Sequence, residues 1–256
     1  GTDPQTLSPA QTVRKISPLS VLRRLKSGLR KEQKPWLGIL GEVAWGTSLA
    51  LYEAILLGDK AWWWQIHYHL WRAYGDWDPD AVLASLSEEE DLGTLAYGET
   101  PASTIKRALS MCRDHFPNAF SLCDLGAGRG VLSMTSAALG WDVLAVEYLA
   151  EFLKRSEPVS KKMGLSVDWV QGDFLKLPLP PADIVHTAGT AYPLEFRQRL
   201  AEKFFSEGTL EQGFLLQDWI LDEDRFEALA GVRLPVTWGS SYFTLHRIRR
   251  DRKTPN

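Results

Sequence analysis

The chain has 256 residues, of which 45% are hydrophobic and 24% are charged, a composition that is ordinary for a globular protein of one or two domains. This composition excludes a disordered chain, which combines low hydrophobicity with a high net charge. The formal net charge of −3 argues against bulk electrostatic binding of nucleic acid.

The cysteines and the N-terminal residues bear on the cellular compartment. Two cysteines allow one disulfide at most, and we interpret Cys112 and Cys123 as free thiols, one on a helix and the other on a strand. The first 20 residues are polar and lack the apolar segment of a signal peptide. We therefore expect a cytoplasmic protein.

The sequence changes character near residue 96, which divides it into a predicted helical cap, residues 1–96, and a predicted α/β domain, residues 97–256. Seven of the 11 tryptophans precede residue 78. Residues 14–34 hold eight basic side chains against one acid, Glu32. A solvated amphipathic helix explains this basic arm, and the alternative is a contact surface for an acidic partner or for anionic lipid head groups.

Residues 36–57 are almost wholly apolar, and about 20 such residues are enough to span a bilayer. Glu42 and Glu53 stand within the segment, and an acid near the centre of a membrane costs about 2.5–3.5 kcal/mol. These acids are 11 residues apart, about three helical turns, so they share a face that Lys60 continues. The pattern predicts a buried helix with one narrow polar stripe in a soluble cap, without a transmembrane span.

A second helix is predicted from Ala61 to Tyr74, with Asp59 as its N-terminal cap. Aromatic side chains surround most of this helix, so most of them are predicted to lie in the core, while a minority line a ligand pocket or an interface. His67 and His69 fall on different faces of the helix, which argues against a metal site.

The strongest motif is a glycine loop that follows an apolar strand ending at Asp124. The alternate glycines Gly126, Gly128 and Gly130 allow a sharp turn and a close approach of the backbone to a ligand at the carboxyl end of a parallel strand. A nicotinamide dinucleotide fingerprint requires a further glycine at the position of Val131. The loop therefore argues against NAD as the ligand.

Acidic side chains also end the next predicted strands. Glu147 ends the second strand, where a carboxylate accepts hydrogen bonds from ribose hydroxyls. Asp173 and Phe174 follow the third strand, and we expect Asp173 to accept from an exocyclic amine and Phe174 to stack on a purine. Two more strands and an antiparallel hairpin, formed by residues 233–236 and 242–248, complete the pattern.

These elements, in this order and at this spacing, resemble the class I S-adenosylmethionine-dependent methyltransferases over residues 97–248. The resemblance implies an α/β fold with a Rossmann-like seven-stranded sheet, mostly parallel with a C-terminal antiparallel hairpin. It also implies S-adenosylmethionine as the cofactor. The Trp-rich helical cap at the N-terminal side is predicted from the residue pattern alone.

The tetrapeptide at residues 97–100 narrows the resemblance. Together with the later motifs it is similar to the non-SET histone lysine methyltransferases, the disruptor-of-telomeric-silencing family. This likeness implies that Tyr97 borders a lysine channel, that Glu99 holds the α-amino group of the cofactor, and that Thr100 holds its carboxylate end. We also expect Thr100 to cap a helix over residues 101–116. The predicted cofactor-binding residues are Tyr97, Glu99, Thr100, Asp124, Gly126, Gly128, Gly130, Glu147, Asp173 and Phe174.

After the fourth strand the chain departs from that family, which has a pair of asparagines there. Thr187, Thr190 and Tyr192 are the polar residues available in their place. We therefore predict Tyr97, Thr190 and Tyr192 as the catalytic residues. His186, at the end of the fourth strand, is either a general base or a structural histidine that a neighbour satisfies.

The sequence leaves three hypotheses open for the function, two of which differ in the acceptor of the methyl group. The first hypothesis is N-methylation of a protein lysine, because an aromatic channel helps an amine to lose its proton. The second hypothesis is N- or O-methylation of a small molecule held under the helical cap. The third is a non-catalytic cofactor-binding module whose Trp-rich helices hold a protein or a membrane.

Overall fold

The structure is a computed structural model that describes residues 36–75, 98–190 and 192–249. Within these ranges the chain forms six helices and seven strands. The predicted domain boundary near residue 96 lies outside the described residues, as does Tyr97. In chain order the elements are α1 (Trp36–Leu57), α2 (Ala61–Ala73), α3 (Ala102–His115), β1 (Ser121–Leu125), α4 (Val131–Ala138), β2 (Asp142–Glu147), α5 (Ala150–Lys162), β3 (Val167–Gln171), β4 (Ile184–Ala188), α6 (Leu194–Glu207), β5 (Gly213–Gln217), β6 (Phe226–Val236) and β7 (Gly239–Ile248).

The seven strands form one sheet in the order β3-β2-β1-β4-β5-β7-β6. Strands β1 to β5 are parallel, and β7 runs antiparallel to both β5 and β6. The predicted Rossmann-like sheet with a terminal antiparallel hairpin is confirmed. The hairpin is longer than predicted because β6 begins at Phe226, in a half-exposed edge strand whose apolar alternation is weak.

Apolar side chains cover both faces of the sheet. On one face, Leu122 and Ile184 pack in a cluster that includes Leu70 of α2 and residues of α3, α4 and α5. On the other face, Val185 packs in a cluster with Phe204 of α6. Cys112 on α3 and Cys123 on β1 are free and buried, as the sequence predicts.

The predicted helix caps at Asp59 and Thr100 are wrong. Asp59 pairs with the Lys60 ammonium, and Lys60 itself precedes α2 without a capping side-chain hydrogen bond. Thr100 instead donates its hydroxyl to Gln217 Oε1 over 3.1 Å. In both cases a nearer or more deeply buried polar partner takes the side chain away from the helix N-terminus.

Helix α1 turns Glu53, one member of the predicted polar stripe, toward the protein. The stripe that faces inward holds Leu49, Glu53 and Leu57, all buried. Glu53 Oε1 accepts the main-chain N–H of Ser103 over 2.7 Å, so the carboxylate satisfies an unpaired donor in the first turn of α3. Ile55, on the outer side, is 74% exposed. Among residues 44–57 of α1, whose burial the structure describes, the prediction of a buried helix is therefore wrong outside this inward-facing side.

Helix α2 also has two different sides. Trp63, Ile66 and Leu70 are buried, whereas Trp64 and Trp71 are about half exposed. The expectation that most aromatic side chains of this helix lie in the core therefore holds for one side only. Among the residues that the structure describes, no helix combines the length and the hydropathy of a membrane span.

A change at Glu53 tests this cross-helix cap. Burial raises the pKa of Glu53 above its ordinary value of 4.5, so the folded state binds more protons than the unfolded state and loses stability as the pH rises from that value. Glu53→Gln keeps an acceptor for the Ser103 N–H without a charge. We expect this variant to be at least as stable as the wild type at neutral pH and to lack that part of the pH dependence.

Glu53→Ala is the matched comparison, because it leaves the Ser103 N–H without its acceptor. We expect it to lower the free energy of unfolding by about 1–3 kcal/mol relative to Glu53→Gln. Urea unfolding from acidic to neutral pH measures both variants. Equal stability of the two variants at every pH contradicts the capping role.

Candidate active site

The carboxyl ends of β1, β2 and β4 meet at one edge of the sheet, because parallel strands place these ends together. The glycine loop follows β1 there. Its glycines Gly126, Gly128 and Gly130 have φ values of 85°, 56° and 75°, which glycine adopts without strain. A β-carbon on Gly130 would lie 2.4 Å from the ring of Trp169, so close packing also requires glycine there.

Glu147, at the end of β2, holds the glycine loop through hydrogen bonds to the main chain. Its Oε2 accepts the N–H of Gly128 over 2.8 Å, and its Oε1 accepts the N–H of Leu149 over 2.9 Å. Burial raises the pKa of Glu147, while these main-chain donors act in the opposite direction. The main chain of Tyr148 is a third donor to this carboxylate. Since an ionised carboxyl group offers about four lone-pair sites, acceptor capacity remains for a further donor such as a ribose hydroxyl.

Asp124 lies beneath the loop and supports it from within the fold. Only 2% of the residue is exposed, its Oδ2 accepts the Ser133 hydroxyl over 2.6 Å, and its Oδ1 lies 3.0 Å from His186 Nδ1. His186 is equally buried on the adjacent strand β4. The geometry therefore favours the structural alternative for His186, with Asp124 as the neighbour that satisfies it.

Phe174 and Tyr192 face the first glycine of the loop. A β-carbon placed on Gly126 would lie 3.2 Å from Tyr192 Oη and 3.8 Å from Phe174 Cε1, so these two rings pack closely against Gly126. The ring centroids of Phe174 and Tyr192 are 6.2 Å apart. Burial raises the pKa of Tyr192 to about 12, so the phenol is neutral at physiological pH. The Thr187 hydroxyl lies 3.5 Å from it.

Asp173, next to Phe174, is tied to its own loop. Its Oδ1 accepts the N–H of Leu175 over 2.9 Å, and its Oδ2 lies 3.2 Å from the Lys176 ammonium. The carboxylate nevertheless keeps acceptor capacity, because an ionised carboxyl group offers about four lone-pair sites.

Glu99 forms an ion pair with Arg129 of the glycine loop, at 2.9 Å, and 16% of each side chain is exposed. The Arg129 guanidinium also lies 4.7 Å from the ring centre of Tyr74, directly after α2. Burial is the main reason why the pKa of His67 on α2 is lowered, while the charge of Glu99 raises this pKa and the charge of Arg129 lowers it. Arg129 is not among the residues predicted from the sequence, although its position between two glycines of the loop was a usable signal of a functional residue.

A hydrogen-bond network joins the ends of β4 and β5 to the segment before α3. Thr100 donates to Gln217 Oε1, and Gln217 Nε2 donates to Ser241 Oγ over 3.2 Å. Both Ser241, over 2.8 Å, and Thr190, over 3.0 Å, donate to Asp218 Oδ2. The network brings the predicted residues Thr100 and Thr190 together through two residues that the sequence analysis overlooked, Gln217 and Asp218.

Asp218 has a φ of 55° and is the one non-glycine residue with a positive φ among the residues described. Such strained backbone is concentrated at functional sites. The sequence held a usable signal for Asp218, because an acid follows the fifth strand directly. Acids stand in similar places at the second strand, which Glu147 ends, and after the third strand, which Asp173 follows.

Residues 122–207, which span the glycine loop, Glu147 and Tyr192, match the family model of the methyltransferase domain. The chain thus contains a methyltransferase domain. This methyltransferase shows no significant sequence similarity to a curated protein.

Two solved structures are similar to the methyltransferase. The RNA methyltransferase of Salinibacter ruber in complex with S-adenosyl-L-homocysteine is 20% identical, with a TM-score of 0.49 over 62% of this chain and 97% of that chain. The magnesium protoporphyrin IX methyltransferase of Synechocystis PCC 6803, with bound SAM, is 15% identical, with a TM-score of 0.48 over 72% of this chain and 90% of that chain.

The residues of the methyltransferase fit its cofactor. The Tyr192 phenol and the Phe174 ring lie against Gly126, and the Glu147 carboxylate, which accepts the Gly128 N–H, keeps acceptor capacity for a further donor. A nucleoside needs both features, an acceptor for its hydroxyls and an apolar surface for its base.

Proposed function

We propose that the methyltransferase transfers a methyl group to an amine, with a protein lysine ranked ahead of a small amine. The observation that carries this proposal is the carboxylate of Asp218, placed beside Thr190 at the strand ends. A carboxylate at this position favours a cationic acceptor over a neutral one. The similarity of residues 97–100 to the non-SET lysine methyltransferases supports a lysine in particular.

The cofactor is assigned to the glycine loop and the neighbouring strand ends. Gly126, Gly128 and Gly130 form its cradle, and Glu147 binds the ribose. Asp173 and Phe174 take the adenine, while Asp124 holds the loop in position from beneath. Tyr97 and Thr100, the latter through Gln217, border the methionine part.

The pair of Glu99 and Arg129 complements the amino acid end of the cofactor. A methionine carries an ammonium and a carboxylate, and the two side chains offer the opposite charges 2.9 Å apart. Glu99 accordingly takes the ammonium and Arg129 the carboxylate. This assignment shifts the carboxylate contact from Thr100 to Arg129, because the Thr100 hydroxyl already donates to Gln217.

When bound, the cofactor supplies an electrophilic methyl group on a sulfonium. Asp218 draws the cationic amine to the end of β5, and the amine releases its proton to bulk water as it moves to the rings of Phe174 and Tyr192 beside Gly126, because an apolar surrounding disfavours the charged form. The neutral Tyr192 hydroxyl then orients the nitrogen through a hydrogen bond. The residues have to hold this nitrogen about 3–3.5 Å from the methyl carbon and in line with the sulfur.

Incubation of a cell lysate with methyl-labelled cofactor and the enzyme tests the acceptor class. The lysate is separated by size into protein and metabolite fractions, and labelled protein is hydrolysed for amino acid analysis. We expect label in methyl-lysine, with none in a parallel reaction that uses Glu147→Ala. Label confined to the metabolite fraction excludes the lysine, and label recovered as the methyl ether of a hydroxyl group excludes the amine.

A small-molecule acceptor is the second candidate, because α2 reaches the site. Tyr74, directly after this helix, lies on Arg129 of the glycine loop, so the helical cap adjoins the cofactor cradle. The size separation distinguishes this candidate from the first.

Tyr192→Phe tests the role of the phenol. Since the hydroxyl is assigned to the acceptor nitrogen, we expect turnover to fall by roughly tenfold, the value of one neutral hydrogen bond. The dissociation constant of S-adenosylhomocysteine is expected to change little. Parallel losses of turnover and of cofactor affinity would place the hydroxyl in the cofactor site alone.

A further inference from the structure

Helices α1 and α2 expose large apolar side chains on their outer sides, and we call this surface the cap face. Its aliphatic members lie on the C-terminal half of α1, and most of its aromatic members lie on α2. The cap face consists of Leu51, Tyr52, Ile55, Leu56, Trp64, Tyr68 and Trp71. The exposed fractions range from 39% for Tyr52 to 74% for Ile55.

No charged side chain interrupts the cap face on α1. Between residues 44 and 57 the sequence holds one charged residue, Glu53, and this carboxylate faces inward onto Ser103. Contiguous exposed apolar surface of this kind marks an interaction site. The inward orientation of the acid therefore leaves an outer side of α1 that suits a non-aqueous environment.

The two helices contribute to one continuous surface. Trp64 Nε1 donates to the carbonyl oxygen of Gly58 over 2.9 Å, which places this indole at the C-terminal end of α1. Tyr68 and Trp71 follow at intervals of four and three residues, on the same side of α2. Tryptophan and tyrosine are the side chains that settle at the boundary between lipid and water.

The charge distribution of the sequence indicates the kind of partner. The basic arm, residues 14–34, ends two residues before α1 begins and carries a net charge of +7 from eight basic residues and one acid. The whole chain carries −3, so the rest of the chain carries −10. A basic segment that directly precedes an apolar, aromatic pair of helices in the sequence is a pattern that binds anionic lipid head groups.

The same charge argues against a second copy of the chain as the occupant. Each copy carries this basic segment directly before α1 in the sequence, and the like charges of two copies repel each other. We propose that the cap face and the basic arm bind the surface of an anionic membrane, with α1 and α2 in the interface and without a transmembrane span.

Flotation of the full chain with lipid vesicles tests the proposal. We expect the chain to float with vesicles of phosphatidylcholine and phosphatidylglycerol, and much less with phosphatidylcholine alone. Added salt is expected to reduce binding to the mixed vesicles, because it screens the basic arm. A chain that floats with neither kind of vesicle at low salt overturns the proposal.

Variants separate the apolar from the electrostatic part. The double substitution Trp64→Ala and Trp71→Ala is expected to lower the partition coefficient at least about tenfold. The matched control is Phe120→Ala, since Phe120 is a 59% exposed aromatic at the start of β1, away from the cap face, and is expected to leave partitioning unchanged. Neutralising Arg23, Arg24 and Lys26 with glutamine is expected to lower partitioning on the mixed vesicles about a hundredfold.

Cofactor binding by calorimetry verifies that each variant is folded. Equal partitioning of the tryptophan variant and the Phe120→Ala control overturns the assignment of the cap face. A lipid-free dimer that the tryptophan variant dissociates, combined with no flotation of the wild type, assigns the cap face to a second copy instead.

Discussion

Glu147→Ala is expected to weaken S-adenosylhomocysteine binding by at least about a hundredfold. The carboxylate is assigned to the ribose hydroxyls, and each hydrogen bond to a charged group contributes about 1.5–3 kcal/mol. The substitution also removes the acceptor of the Gly128 N–H, which holds the loop in its left-handed conformation. Titration calorimetry with S-adenosylhomocysteine measures the effect.

Asp142→Ala is the matched control, because Asp142 is an acid at the opposite end of the same strand β2. We expect it to leave the affinity unchanged. Since burial raises the pKa of Glu147, the wild-type affinity is also expected to fall at acidic pH, where the protonated carboxyl group accepts fewer hydrogen bonds. Similar affinities for the two variants contradict the assignment of Glu147.

The strand-end part of the site was predictable because it depends on local order and on one rule of sheet geometry. A strand that ends at Asp124, a glycine loop, and a strand that ends at Glu147 lie within 24 consecutive residues. Parallel pairing then brings their carboxyl ends to one edge, whatever the rest of the chain does. The contact between Glu147 and Gly128 follows from this arrangement.

The orientation of α1 was not predictable in the same way. Helical periodicity shows that Glu42 and Glu53 share a face, but it does not show which way this face points. The deciding interaction is the N–H of Ser103, 50 residues away along the chain, which requires an acceptor at the start of α3. A polar stripe that caps another helix has the same sequence pattern as one that faces water.

The hydrogen-bond network around Asp218 could not be predicted from the sequence for a related reason. Thr100 and Gln217 are 117 residues apart, and their hydrogen bond depends on how β5 lies beside β7 and the segment before α3. Thr100 therefore has the sequence position of a helix cap, although its hydroxyl donates to Gln217. Only the position of Asp218 after a parallel strand was visible in the sequence.

Asp218→Asn is expected to lower the rate of methyl transfer to an amine at low acceptor concentration by about 10- to 100-fold, the value of one hydrogen bond to a charged group. The fold is expected to persist, because asparagine tolerates the positive φ of 55° at this position. The amide oxygen remains available to the Tyr242 N–H, which Asp218 Oδ1 accepts over 2.8 Å. The substitution removes the negative charge and replaces Oδ2, the acceptor of the Thr190 and Ser241 hydroxyls, with an amide group that donates instead.

The rate of label incorporation from methyl-labelled cofactor measures the effect. Calorimetry measures the cofactor affinity, which is expected to stay within about threefold because no contact of Asp218 with the cofactor is proposed. Asp222→Asn is the matched control, since this acid lies four residues further on and pairs with the exposed Arg225. A loss of rate in the control as large as that in Asp218→Asn would show that the surface charge acts nonspecifically. An unchanged rate in Asp218→Asn would exclude a cationic acceptor at this carboxylate and would favour a hydroxyl, because a neutral acceptor gains little from a negative charge at this position.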